Sequence, residues 1–166
     1  YRCHVWACPA HYYTNFTSWT QHCWGVTCVN DMEAMLSYQP ITIGDKEQAL
    51  ADLVRCYEKM MMRSHTNGGY VNLLDECWKM CEKFHTNIVI MYDHVSCKNV
   101  GGLHGLFEDQ ARARGIHLIW VPHDVMDPRT VSRREMREAF NQYMVNVLRA
   151  EPLDPSLLDY EDALSW

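Results

Sequence analysis

Residues 87–91, NIVIM, form an apolar run of strand length, and residues 116–121, IHLIWV, form another. Runs without the alternation of a half-exposed strand predict strands buried on both faces of a parallel sheet. Between them, LHGLFEDQARARG opens after Gly101-Gly102, keeps a helical pattern and stops at Gly115, a residue suited to ending a helix. Residues 2–7 predict a first strand, residues 11–23 a helix, and residues 25–29, GVTCV, a second short strand. Residues 32–43 give no clear reading, with Pro40 breaking any helix there. Asp45 to about Arg63 predicts a long helix, because Asp45 and Gln48 stand at capping-box spacing and Leu50, Leu53, Val54, Tyr57 and Met61 keep an apolar helical period. Residues 64–69, SHTNGG, read as a loop. Residues 70–85 read as a further helix, with Leu73, Leu74, Cys77, Met80, Cys81 and Phe84 on one face. Ser132 and Glu135 form a second capping box, and Met136, Phe140, Tyr143 and Met144 continue a stripe that predicts a helix to Leu148.

The order β-α-β-α-α-β-α-β-α predicts an α/β protein: an open, mainly parallel sheet of about four strands with helices on both faces. Residues 1–150 are expected to form a single Rossmann-like domain, the second domain of a longer subunit. Residues 151–166, with Pro152 and Pro155, are expected to be an irregular tail docking through Leu157, Leu158 and Trp166. Two strands carry a cysteine just past their carboxyl ends, Cys8 and Cys97, the end at which open α/β sheets bind ligands. Cys97 also lies shortly before a helix, whose N-terminal partial charge favours a thiolate.

Composition narrows the function classes. A net charge of −6 over 166 residues, with no Lys/Arg run, argues against a nucleic-acid surface. The longest apolar runs fall far short of the roughly 20 residues of a membrane span. No signal-peptide pattern opens the chain, so a cytoplasmic location is expected. The first residue is Tyr1, and strand-like sequence begins at once, as in a piece of a longer chain. Eight cysteines are many, but strand and helix patterns dominate, so most are expected to be reduced core residues. No GxGxxG follows the first strand, and Gly101, Gly102 and Gly105 are only a partial glycine set for a dinucleotide site. Cys3 and Cys8 with His4 and His11 have zinc-like spacing, but a strand would point neighbours to opposite faces. A CxxC redox pair is absent. His94, His104 and His123 could partner Cys97 as a nucleophile, without any local protease signature.

The segment YDHVSCKNVGG, followed by a helix and then GIHLIWVPHDVMDPRTVSRREMREAFNQYM, resembles the carboxyl-terminal part of the 2-hydroxyacyl-CoA dehydratase and benzoyl-CoA reductase family. The matching pieces are Ser96-Cys97-Lys98, Gly115-Ile116, Asp124 with Asp127-Pro128-Arg129, and residues 132–144. HVWACPAHYYTNF and GVTCVND match the family's opening strand-helix-strand more loosely. The resemblance implies an anaerobic lyase or oxidoreductase whose subunit holds a [4Fe-4S] cluster. It also implies a homologous second subunit, an ATP-dependent iron–sulfur activator that supplies one electron, and an acyl-CoA substrate. Cys97 matches the family's last cluster cysteine. Lys98 and Arg129 become candidate contacts to CoA or another anion, and Cys8 a possible second metal ligand. The other cluster cysteines belong to an amino-terminal domain of the subunit, so the cluster would be shared with a domain outside this chain. Position 99 is Asn where the family's SCKP form has Pro; this spelling and the DPRTVS loop lean toward the benzoyl-CoA reductase branch. Two alternatives stand beside it: a non-catalytic assembly domain of the same fold without a cluster, and a stand-alone thiol protein with Cys97 as nucleophile.

Overall fold

The computed structural model describes residues 1–33, 40–58 and 61–159, without the side chains of 61–62 and 64–67. Four strands, β1 (Arg2–Trp6), β2 (Thr27–Asp31), β3 (Ile88–His94) and β4 (His117–His123), form one parallel sheet in the order β2-β1-β3-β4. Among the described residues six α-helices connect and follow them: α1 (Phe16–Trp24), α2 (Lys46–Glu58), α3 (Met61–Phe84), α4 (Lys98–Gly101), α5 (His104–Arg114) and α6 (Arg133–Asn146). The expected open parallel sheet of four strands, covered on both faces, is what the chain forms.

The pleat of β3 shows why its sequence is apolar throughout. Ile88, Ile90 and Tyr92 join a core with Phe16, Trp19 and Phe140 on the face of α1 and α6. Val89 and Met91 join Leu74, Trp78 and Phe107 on the face of α3 and α5. Successive side chains leave a strand on opposite sides, so a central strand between two helical layers needs apolar residues at every position. Phe140 meets Phe16 and Trp19 edge-on at 5.8 and 5.7 Å, a geometry that aligns a ring's positive edge with its neighbour's negative face.

Element boundaries depart from the sequence pattern where special backbone intervenes. The first helix begins at Phe16, not residue 11. Gly25 takes φ +67° as the cap that ends it, delaying β2 to Thr27. The loop expected over 64–69 is helical up to a single break at Gly69, φ +70°, within α3. The helix expected from Asp45 forms as α2, with its apolar face in an unexpected place. Its apolar stripe of Leu50, Leu53, Val54 and Tyr57, which keeps the helical period expected, is 49–63% exposed and not turned to the core. Its covered residue is Asp52, screened locally by bonds from Thr42, Gln48 and Arg55. Met61, the last member of that stripe, has no described side chain. The capping box of Ser132 and Glu135 forms as expected at the start of α6. In the tail, Leu157 and Leu158 pack partly on the core, and the Trp19 indole donates to the Leu157 carbonyl at 2.8 Å. Trp166 lies outside the described residues. Among the described residues no helix is long and apolar enough to cross a membrane.

Candidate functional site

Strand order creates the site. From β1 the chain moves to β2 on one side, then crosses back to place β3 on the other side of β1. The connections leaving β1 and β3 therefore diverge, opening a crevice at their carboxyl ends, where open α/β sheets take ligands. Cys8 follows β1 and Cys97 follows β3, so the two thiols flank this switch point. Both line one cavity of about 190 Å³, together with Trp6, Met32, His94 and His123. Ala7, also in its wall, has φ +69°, a strained value for a residue with a Cβ, and this turn carries the chain abruptly off β1 to Cys8.

Cys97 is the residue at which α4 begins, with an extended backbone and its amide bonded back to the His94 carbonyl at 2.8 Å. The helix behind it is a single turn, and the longer α5 starts only at His104. The dipole argument made from the sequence is therefore weaker than expected, since one turn aligns few peptides. Burial pushes the Cys8 thiol up to about 11, with Glu33 beside it adding to the shift. Its sulfur lies 3.9 Å from the His11 ring. All eight cysteines are free thiols. Cys77 and Cys81, one turn apart on α3, are core residues.

The two other sequence candidates stand outside the cavity wall. Lys98 is exposed on α4. Arg129 is held by Asp127, its Nη2 2.7 Å from one carboxylate oxygen and its Nε 2.9 Å from the other, with most of its side chain in solvent. An anion would have to draw Arg129 from that partner.

The cavity also contains His94 and His123, two of the three histidines the sequence offered as partners of Cys97. His94 and His123 are register partners at the ends of β3 and β4, with ring centroids 5.4 Å apart. The Ser96 backbone N–H donates to Nδ1 of His94 at 3.0 Å, so neutral His94 carries its proton on Nε2. His123 is fully buried, its ring tilted against Tyr92 at 5.2 Å between centroids, with the backbone of Cys8 and Asp93 beside it. Burial, then the neighbouring His94, lowers its pKa to about 4, so the ring is neutral at physiological pH. The signal in the sequence was only positional: His123 closes a strand at the ligand-binding end of the sheet.

A larger cavity of about 310 Å³ lies at the β1–β2 end, lined by His11, Tyr13, Cys28, Asp31 and Glu33 among others. It shares Ala7 and Tyr92 with the first cavity but is reached by neither Cys97 nor the histidine pair.

The fold and site define a parallel α/β protein with a thiol-flanked, largely apolar crevice at its topological switch point. A family model described as 2-hydroxyglutaryl-CoA dehydratase, D-component, matches residues 1–144, and the chain belongs to that family. Membership makes it a component of the 2-hydroxyacyl-CoA dehydratase type, a family whose description points to multi-subunit assemblies. No curated protein and no solved structure matches it.

Proposed function

We propose that this chain is part of an iron–sulfur subunit of a radical acyl-CoA enzyme, in which Cys97 supplies one cluster thiolate and the crevice beside it forms a wall of the acyl-CoA site. The observation that carries the reading is the convergence of Cys97 and Cys8 on one cavity at the switch point, within a chain of the dehydratase family. A [4Fe-4S] cluster takes four cysteine corners, or three with one open iron. Among the described residues no group of three or more His, Cys, Asp or Glu could hold a metal. The residues present thus fit one or two corners and not a complete set, and the remaining thiolates would come from another domain or subunit. Cys8 as the second corner requires loss of a proton that burial and Glu33 now hold on it.

This chain's own contribution is environmental. Trp6, Met32, Leu73 and Val100 give the cavity an apolar wall, and polar contacts made against such a wall are stronger than in bulk water. His94, whose Nδ1 accepts the Ser96 N–H, has Nε2 left as a donor. Lys98, exposed beside Cys97, is available to a CoA phosphate. One-electron reduction of the thioester would depend on an ATP-hydrolysing iron–sulfur activator and a homologous second subunit.

The test is turnover by the intact enzyme, isolated without oxygen with its natural partner and assayed with activator and ATP. A 2-hydroxyacyl-CoA should be converted to the enoyl-CoA, and Cys97→Ala should abolish this. Reduction of benzoyl-CoA instead would place the enzyme in the aromatic reductase branch, toward which Asn99 and the DPRTVS loop lean. Full turnover by Cys97→Ala would refute the assignment of Cys97.

A further inference from the structure

We propose that Cys28 and Cys3 form an oxidant-reactive pair: Cys28, opening on the cavity at the β1–β2 end, takes an oxygen atom from a hydroperoxide, and Cys3 behind it resolves the product to a disulfide. Neither thiol lines the crevice of Cys8 and Cys97, so this chemistry is separate from the cluster assigned above.

The sheet sets the pair. Cys3 on β1 and Cys28 on β2 are register partners in a parallel ladder, so both side chains leave the same face and meet the same core. Neighbouring strands run about 4.7–4.9 Å apart, inside the roughly 4.4–6.8 Å of Cα separation that a disulfide spans. The two thiols are hydrogen-bonded to each other. Directly after the pair the register slips, His4 meeting Asn30, so Val29 is an extra residue on β2. β2 is also an edge strand, held on one side only and free to make a small approach toward β1. Exposure then assigns the roles. Cys3 is fully buried, whereas Cys28 is partly buried and lines the 310 Å³ cavity with His11, Tyr13 and Asp31. A small hydroperoxide fits that space and reaches Cys28 first. The hydrogen bond from Cys3 holds the Cys28 thiol below its ordinary value, against burial and the charge of Asp31, while the same bond and burial push Cys3 up. Oxidant-reactive cysteines are thiolate-prone, accessible and set beside a resolving thiol. Cys77 and Cys81 make the contrast: they bond to each other on α3, but both are buried in the core and neither lines a cavity described above.

The steps balance with the hydroperoxide as oxidant. Cys28 ionises, and its sulfur attacks the near oxygen, breaking the O–O bond and forming a sulfenic acid. The leaving oxide takes up the proton that Cys28 released, as water or an alcohol. With the thiolate consumed, the bond that held the Cys3 proton is gone. The Cys3 sulfur then attacks that of Cys28, the S–O bond breaks, and hydroxide leaves with the Cys3 proton as water. Two thiols are oxidised to one disulfide, and one hydroperoxide is reduced.

The experiment treats the intact, partner-bound enzyme, isolated without oxygen, with hydrogen peroxide at about one equivalent per chain. Remaining thiols are then blocked, and the protein is digested with chymotrypsin without reduction. Cleavage at Trp6 and Trp24 separates the two cysteines, which trypsin would leave in one peptide, since no Lys or Arg stands between Cys3 and Lys46. Mass spectrometry should find the segment holding Cys3 joined to that holding Cys28, and reduction should release them. In Cys3→Ser, dimedone should trap the sulfenic acid on Cys28. In Cys28→Ser, oxidation of Cys3 should fall at least about tenfold, because no accessible thiol relays it. Cys77 and Cys81 should stay reduced throughout. Cys28 left reduced in the wild type, or joined to a thiol other than Cys3, overturns the inference even if neither variant folds. Oxidation of Cys3 that is as fast in Cys28→Ser as in wild type overturns it as well.

Discussion

Single residues in the loop between β4 and α6 set its response to acid. Asp124 accepts the amides of Asp127 and Met126, Asp127 grips Arg129, and Glu135 accepts the Ser132 amide. Each carboxyl is held below its ordinary range by these bonds, Asp127 down to about 2. Because the unfolded chain binds protons more readily, this stabilisation is complete above the unfolded carboxylate values near 4 and fades as pH falls toward 2. Urea unfolding at pH 5 and pH 3 should show the loss, and Asp127→Asn should make it shallower; an unchanged pH dependence in that variant would contradict the assignment. Gly25 is the second residue whose geometry makes a claim. Its φ of +67° disfavours any side chain, and a Cβ there would stand 3.0 Å from the Leu153 side chain. Gly25→Ala should therefore cost about 1 kcal/mol in denaturant unfolding, and a neutral result would mean that the turn and tail relax freely.

At the scale of elements, what the sequence made legible was whatever local pattern decides. The run 87–91 had to be a central strand because both its faces meet apolar layers, and the Ser132–Glu135 box had to start a helix because its two bonds close within four residues. The stripe on α2 shows the limit. Periodicity says that Leu50, Leu53, Val54 and Tyr57 share a face, but only the tertiary arrangement says where the face points, and here it points to solvent. Leu53→Glu should accordingly change the stability of this chain by no more than about 0.5 kcal/mol, whereas Phe140→Ala, which empties a position between Phe16 and Trp19, should cost about 3–5 kcal/mol. Comparable losses from the two substitutions in thermal or chemical unfolding would mean that α2 packs on the core after all. The placement of the two thiols was legible to the same depth. Strand ends pointed to Cys8 and Cys97, since chain order alone places them past parallel strands. The full burial of His123 was not legible, because burial is a property of what packs around a residue and not of its neighbours in sequence.

For the whole molecule, the reversal of strand order between β1 and β3 joins sequence to function. It brings residues 89 positions apart, Cys8 and Cys97, to one cavity, in a chain whose family description is that of an acyl-CoA dehydratase component. Cys97 is the pivot of the functional reading, because a cluster needs soft thiolate donors in a shielded site and Cys97 stands where such a site opens. The most direct measurement is iron and acid-labile sulfide content, with an EPR spectrum, on the intact partner-bound enzyme isolated without oxygen, as wild type and as Cys97→Ser. A stoichiometric [4Fe-4S] signal in wild type that is lost or converted in the variant is the result expected. A wild-type preparation with no iron assignable to this subunit, or a signal unchanged in Cys97→Ser, would contradict the cluster assignment and turn the reading toward an assembly domain of the same fold.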